Sequence, residues 1–262
     1  MTQDAFPRSA ILAAWARSWR AGHVSYDEAV DEVRGRDAEH LVDGVPGALT
    51  AVDLSEGLRA FSALRPDEIR LVLPAPGDPR GLPGRGPFTD AALGAGEGVV
   101  CGDAGVVPAV DARFSGSGDV WHVITWRLLP LAPELPDVLA DRPAPDPLTV
   151  AEAEHDLVVA LREATDALRR LDVARWRPEL GAALTDLRRG TAPTDLPPGY
   201  DPRCERLLAR AGTVAGILTL AASDAPGASI TAFEAGERDI ALRPLATAAR
   251  RAQLAAINAP LR

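Results

Sequence analysis

Six prolines fall between positions 130 and 147 (Pro130, Pro133, Pro136, Pro143, Pro145 and Pro147), and no other feature of the sequence constrains the fold as strongly. Proline has no amide donor and its ring fixes φ, so neither a helix nor a central strand continues through such a run. A chain of 262 residues can form one large domain or two ordinary ones. The stretch therefore reads as a connector over 132–147, dividing a domain of residues 1–131 from one of residues 148–262.

The hydrophobic period changes across that connector. On its N-terminal side, residues 8–22 predict a helix with Ile11, Leu12, Trp15 and Trp19 on its apolar face and Arg8, Arg17 and Arg20 off it. A second helix opens at Ser25, which forms a capping box with Glu28 and buries Tyr26, Ala29, Val30 and Val33. Its acids Asp27, Glu28, Asp31 and Glu32 read as a solvated face.

From about residue 49 the pattern turns to short β-rich runs, at 68–73, 98–101, 106–113 and 120–129, with helical segments at 55–64 and 89–93. The last two runs flank a loop of small residues around Ser117, which predicts an antiparallel hairpin. Pro108 within it predicts a sheet edge or a bulge.

Beyond the connector the period is helical throughout. Thr149 and Glu152 form a capping box ahead of a stripe of Leu157, Leu161, Ala164, Leu168 and Leu171. A helix over 178–189 follows. Asp201 and Pro202 open another that is apolar nearly all round from Ala211 to Ala222, which predicts a place in the middle of a bundle. The last starts at a box of Thr231 and Glu234 and carries Pro244, where a kink or break is expected. The fold class expected is α+β: N-terminal helices on a small mixed or antiparallel sheet, then a C-terminal antiparallel bundle of about four helices.

All 28 basic residues are arginine. Without lysine there is no Schiff-base nucleophile and no P-loop lysine, so aldolase-type, pyridoxal-type and Walker-type chemistry is excluded. The net charge of −9 arises entirely in residues 1–147, so most of the surface repels a phosphate backbone and nucleic acid is disfavoured as a partner. The arginine pairs 169/170, 188/189 and 250/251 do not reverse this, because adjacent helical side chains point about 100° apart. Two cysteines make no disulfide framework, the N-terminus has no secretory pattern, and the longest apolar stretch is about half of the roughly 20 residues a bilayer span needs. A cytoplasmic protein without membrane contact is expected.

Among candidate sites, Cys204 is the most specific. With Asp201 as N-cap it occupies the third position of a helix, where the dipole and the neighbours Arg203 and Arg206 favour a thiolate, while Asp201 and Glu205 oppose it. The loop 74–87 has glycines and two arginines between a strand and a helix, so Arg80, Gly84, Arg85 and Gly86 are ligand-binding candidates. It lacks the residue order of a phosphate loop, and its prolines suit a stiff surface loop or lid. Trp121, His122 and Trp126 lie on one strand, with Trp121 on one face and the other two on the opposite face, so at least one aromatic is free to line a pocket or an interface. Glu152 and His155 have the spacing of di-iron helices, as do Asp37 and His40, but no second matching pair accompanies them in the same half, and the four histidines form no zinc pattern. No metal and no cofactor is predicted.

With no intact catalytic motif, the reading leans against an enzyme and towards a protein-interaction or adaptor role, with a protein partner or a homo-oligomer. The alternative is a small-ligand-binding protein or enzyme with its site where the two halves meet.

Overall fold

The strands expected to flank Ser117 form the longest pairing among the described residues. In the computed structural model β-strands span Ala104–Phe114 and Val120–Pro130 and pair antiparallel from Ala104↔Pro130 to Phe114↔Val120. The structure describes residues 6–116, 119–131, 148–170, 196–222 and 232–262. The expected connector 132–147, the expected helix 178–189 and with it Arg188 and Arg189, and Ser117, Leu171 and Thr231 lie outside those residues, as do the side chains of Leu168, Arg169, Arg170, Ala221, Ala222 and Glu234.

Two compact units are present. One comprises Phe6–Pro147 with Leu196–Tyr200 and Pro260–Arg262; the other comprises Met1–Ala5, Leu148–Asp195 and Asp201–Ala259.

The first unit contains α1 (Arg8–Arg20), α2 (Tyr26–Arg34), β1 (Glu39–Asp43), β2 (Val52–Asp53), α3 (Leu54–Leu58), β3 (Ile69–Val72), α4 (Pro87–Ala95), β4 (Gly98–Cys101), β5 (Ala104–Phe114) and β6 (Val120–Pro130). The six strands form one mixed sheet in the order β2-β1-β6-β5-β4-β3, in which only β1 and β6 run parallel. Gly102 and Asp103 join β4 to β5 in a two-residue turn, and Gly102 takes φ of 64°, the left-handed conformation such turns demand.

Alternation along the strands gives the sheet two covered faces. Val72, Val100 and Val107 point to one, where they pack on Phe88 and Ala92 of α4. The opposite face holds Ile69, Leu71, Val99, Ile124 and Trp126, all buried, and α1 packs on this side of β3 and β4. Here α3 comes so near β1 that a side-chain carbon on Gly57 would collide with Val42.

In this unit three details differ from the sequence expectation. Helix α1 turns its alanines inward: Ala10, Ala13, Ala14 and Ala16 are buried, whereas Ile11, Trp15 and Trp19 are only half-buried. Arg17 is buried with them because its Nε donates to the Pro66 carbonyl and its guanidinium lies over the Tyr200 ring. Small side chains allow the helix to approach the sheet closely, which outweighs the larger area of the tryptophans. Pro108 sits on an interior strand, yet β4 pairs with β5 only over Ala104–Val106, so buried Pro108 lies beyond the paired part of that flank and its missing N–H costs no ladder bond there. And β1 is a strand the alternation rules miss, since its sequence, Glu-His-Leu-Val-Asp, is charged at both ends.

The second unit is described by α5 (Val150–Arg170), α6 (Pro202–Ala222) and α7 (Ala232–Asn258). The Thr149–Glu152 box caps α5: Glu152 N donates to Thr149 Oγ1 at 3.2 Å and Thr149 N to Glu152 Oε2 at 2.9 Å. Among the described residues α7, not α6, is the central helix, packing on both others and continuing through Pro244 without a break. Helix α6 buries one stripe, Cys204, Leu207, Leu208, Ala211 and Val214, and leaves Ile217 and Leu218 half-exposed. Among the described residues no helix is long and apolar enough to cross a membrane.

Candidate functional site

A buried polar network lies where the root of the β5–β6 hairpin meets β1 and α1. Asp37, in the turn before β1, accepts hydrogen bonds from Arg8 Nε and NH2, both at 3.0 Å. His40 Nε2 lies 3.2 Å from Asp37 Oδ2, and the Trp126 indole Nε1 donates to His40 Nδ1 at 3.1 Å. Indole is only ever a donor, so His40 Nδ1 is unprotonated and Nε2 carries the hydrogen that Asp37 accepts.

The electrostatics agree with that assignment. Burial pushes the His40 pKa below its usual value, and the hydrogen bond and charge of Asp37 recover only part of the shift. Burial alone would raise the Asp37 pKa, but the hydrogen bonds and charge of Arg8, then the hydrogen bond from His40, outweigh it and hold the carboxyl below the ordinary range. Both His40 nitrogens are committed and its side chain is fully covered, so the cluster positions backbone and does not offer a base to a substrate. His122 stands at the rim, its Nδ1 3.8 Å from Asp37 Oδ1, too far for a hydrogen bond.

Past this network the hairpin outruns its neighbours. Strand β1 pairs with β6 from Val123 onward, with Ala38 N donating to the His122 carbonyl at 3.0 Å, and β4 leaves β5 at Val106, so among the described residues Val110–Phe114 and Val120–Trp121 form a two-stranded tip. Every residue from Ala109 to Phe114 is exposed. Val110, Phe114 and Val120, 47%, 72% and 52% exposed, share a face with His122, while Trp121, 40% exposed, is on the other. Of the aromatic candidates, then, Trp126 is core, Trp121 is surface, and His122 is intermediate between them.

The loop 74–87 folds on itself. Ala75 and Asp78 exchange backbone hydrogen bonds, Arg80 pairs with Asp78 at 3.1 Å, and Thr89 Oγ1 donates to the Gly84 carbonyl. Leu82 packs against the α4 core, and Arg85 is exposed. Gly86 is the residue before α4.

Cys204 takes the third position of α6, where its N–H donates to the Asp201 carbonyl at 2.8 Å, and it is 2% exposed. Arg203 and Arg206 are exposed, and Arg203 NH2 is engaged by Glu154 at 2.8 Å. Cover of this kind disfavours a reactive thiolate. Cys101 is buried too, and burial, helped by Asp103, pushes its thiol up to about 12. Among the described residues no three histidine, cysteine or acidic side chains converge as a metal site, and neither Glu152–His155 nor Asp37–His40 acquires a third ligand.

A groove of about 580 Å³ runs between α5 and α7. His155, Asp156 and Glu163 line it from α5, and Arg243, Pro244 and Arg251 from α7. Pro244 has no N–H to give the Ile240 carbonyl four residues back, and both residues are among those that line the groove.

Comparisons with known proteins give a relationship over nearly the whole chain. It is 30% identical to a Mycobacterium tuberculosis (strain ATCC 25618 / H37Rv) protein called uncharacterized protein Rv1486c, over 97% of this chain and 96% of that one. It is equally identical, with the same coverage, to uncharacterized protein MT1533 of M. tuberculosis strain CDC 1551 / Oshkosh. No solved structure matches. Residues 9–141 match the N-terminal domain, and residues 151–254 the C-terminal domain, of the Rv1486c-like proteins, and the chain belongs to that family.

Proposed function

We propose that this protein acts by binding another protein chain, with the tip of the β5–β6 hairpin as the contact surface. The observation that carries the reading is the tip itself: Val110, Phe114 and Val120 lie side by side on one face with no covering element among the described residues. Large apolar side chains grouped on a projecting hairpin cost solubility, and a partner that covers them recovers the hydrophobic free energy. The network at the hairpin root supports the reading, since it ties β6 to β1 and α1 and anchors the base from which the tip extends.

The test compares the immobilised wild-type chain with Phe114→Asp in native cell extract. Retention of a partner by the wild type and its loss by the variant are expected. Recovery of nothing at any salt concentration, or equal recovery by both, overturns the reading.

A second reading, binding of a small molecule, is favoured by the α5–α7 groove. Its volume is in the range of ligand sites, and its walls offer acidic groups on one side and arginines on the other. A zwitterionic ligand suits that arrangement, and Arg243→Ala would weaken it without disturbing the hairpin.

A further inference from the structure

We infer that the partner of the hairpin is a second copy of this chain, joined through β5 in a two-fold antiparallel seam centred on Ala112. The inference rests on the reading of the hairpin as the contact surface and goes further by naming the occupant and the register.

The backbone comes first. At the tip Ser115 N donates to the Asp119 carbonyl, and at the other end Gly102 and Asp103 form a two-residue turn that closes on Cys101 and Ala104. In an antiparallel ladder the bonded direction alternates, so the odd-numbered residues of β5 turn their N–H and C=O towards β6 and the even-numbered ones away from it. Pro108 fits this alternation, because its missing donor falls on the outer side. Among the described residues, Val110, Ala112 and Phe114 therefore present unpaired N–H and C=O groups along an edge that no strand covers beyond Val106. Such an edge accepts another strand readily.

The side chains select the occupant. Asp111 and Arg113 sit either side of Ala112, with Arg113 NH2 2.6 Å from Asp111 Oδ2. If two copies pair antiparallel about Ala112, Asp111 of each lies opposite Arg113 of the other, in the non-hydrogen-bonded positions where side chains are closest. On the opposite face Val110 lies against Phe114 of the second copy, and Phe114 against its Val110, aromatic on β-branched, which cross-strand pairing favours. Shifting the centre to Asp111 sets carboxylate against carboxylate, and shifting it to Arg113 sets guanidinium against guanidinium. Only the Ala112 register satisfies backbone, charge and apolar contacts together, and it is closed, as a two-fold interface must be.

The experiment measures the mass of the full chain by light scattering and sedimentation across a concentration series, with circular dichroism as the control for folding. A dimer is expected for the wild type. Asp111→Arg alone and Arg113→Asp alone each oppose like charges twice across the two-fold axis and should raise the dissociation constant roughly tenfold or more. The double swap, Asp111→Arg with Arg113→Asp, should restore the dimer. A wild-type monomer throughout the series, single swaps that stay dimeric, or a folded double swap that stays monomeric overturns the seam. Should the double swap fail to fold, Ala112→Cys decides: on the axis it should form an interchain disulfide under mild oxidation, and Ala109→Cys should not. A monomeric wild type whose Phe114→Asp variant still loses a captured partner would sink the self-pairing alone and leave the partner-binding reading standing.

Discussion

The Trp126 indole donates to His40 Nδ1 at 3.1 Å, and this bond fixes which nitrogen of the imidazole faces Asp37. A ring that could otherwise serve as an acid, a base or a ligand is thereby made into a connector between β1 and β6. Trp126→Phe keeps an aromatic ring at the site but takes away the donor, leaving a buried acceptor unpaired and a small void. The loss expected is about 2 kcal/mol of unfolding free energy, read from the urea midpoint at constant slope.

Acid should destabilise the sheet-bearing unit well above the ordinary range of carboxylate titration. Burial lowers the His40 pKa, so below about pH 6.5 the unfolded chain takes up a proton that the folded one refuses. Stability is then complete above that value and falls as pH drops towards the depressed folded pKa. The lowered carboxyl of Asp37 acts in the same direction at more acidic pH, its contribution disappearing as pH falls through its own folded value. Melting temperatures measured from pH 8 to pH 4 should decline from near pH 6.5, and His40→Gln should remove the first part of that decline while leaving the second.

Glu97 should behave in the opposite sense. Its carboxylate accepts a hydrogen bond from Ser9 N at 2.7 Å, capping α1 from the turn before β4, yet burial raises its pKa. The charged form is therefore the costlier one in the folded state, and its contribution to stability shrinks as pH rises through the folded pKa. Glu97→Gln keeps an acceptor and sheds the charge, so its melting temperature at pH 8 should match or exceed that of the wild type. Glu97→Ala leaves the amide bare and should cost about 1 kcal/mol.

Much of the architecture could be read from periodicity, and the reasons it could not all be read are local. The hairpin is legible because β5 and β6 are long, rich in apolar and β-branched residues, and flank small residues. The capping serines, threonines and acids at Ser25 and Thr149 were legible because their bonds are made within four residues. Strand β1 was not, because its only strongly apolar residues are Leu41 and Val42 and its burial depends on β6, more than eighty residues on. The same non-locality hid the network. Asp37 and His40 show in sequence as an i, i+3 pair with the spacing of metal ligands, and nothing in that spacing reveals that Arg8 and Trp126 occupy the positions a metal would need. Alternation alone puts His122 and Trp126 on one face; that one is rim and the other core follows from where β1 begins to pair.

The packing of α4 on the sheet gives a sharper test than any polar contact, because it depends on atoms that are missing. The Phe88 ring, 1% exposed, lies directly over Gly98 and Gly105, and a β-carbon on Gly105 would overlap its Cδ2 and Cε2 atoms. Gly105 sits in the middle of the sheet, paired with Val100 on one side and Leu129 on the other, so its backbone has no room to retreat. Glycine in a strand is intrinsically unfavourable, and on propensity alone Gly105→Ala should stabilise the protein. Overpacking should win, since the ring must move within a close-packed layer that includes Val72, Val100 and Val107, and a loss of about 2 kcal/mol is expected. Phe88→Leu alone should also destabilise, through the volume it vacates. Combined, the two should cost clearly less than the sum of their separate effects, because the new methyl fills space the smaller side chain has left. Additive losses in that double-mutant cycle would mean that ring and glycine do not share the contact.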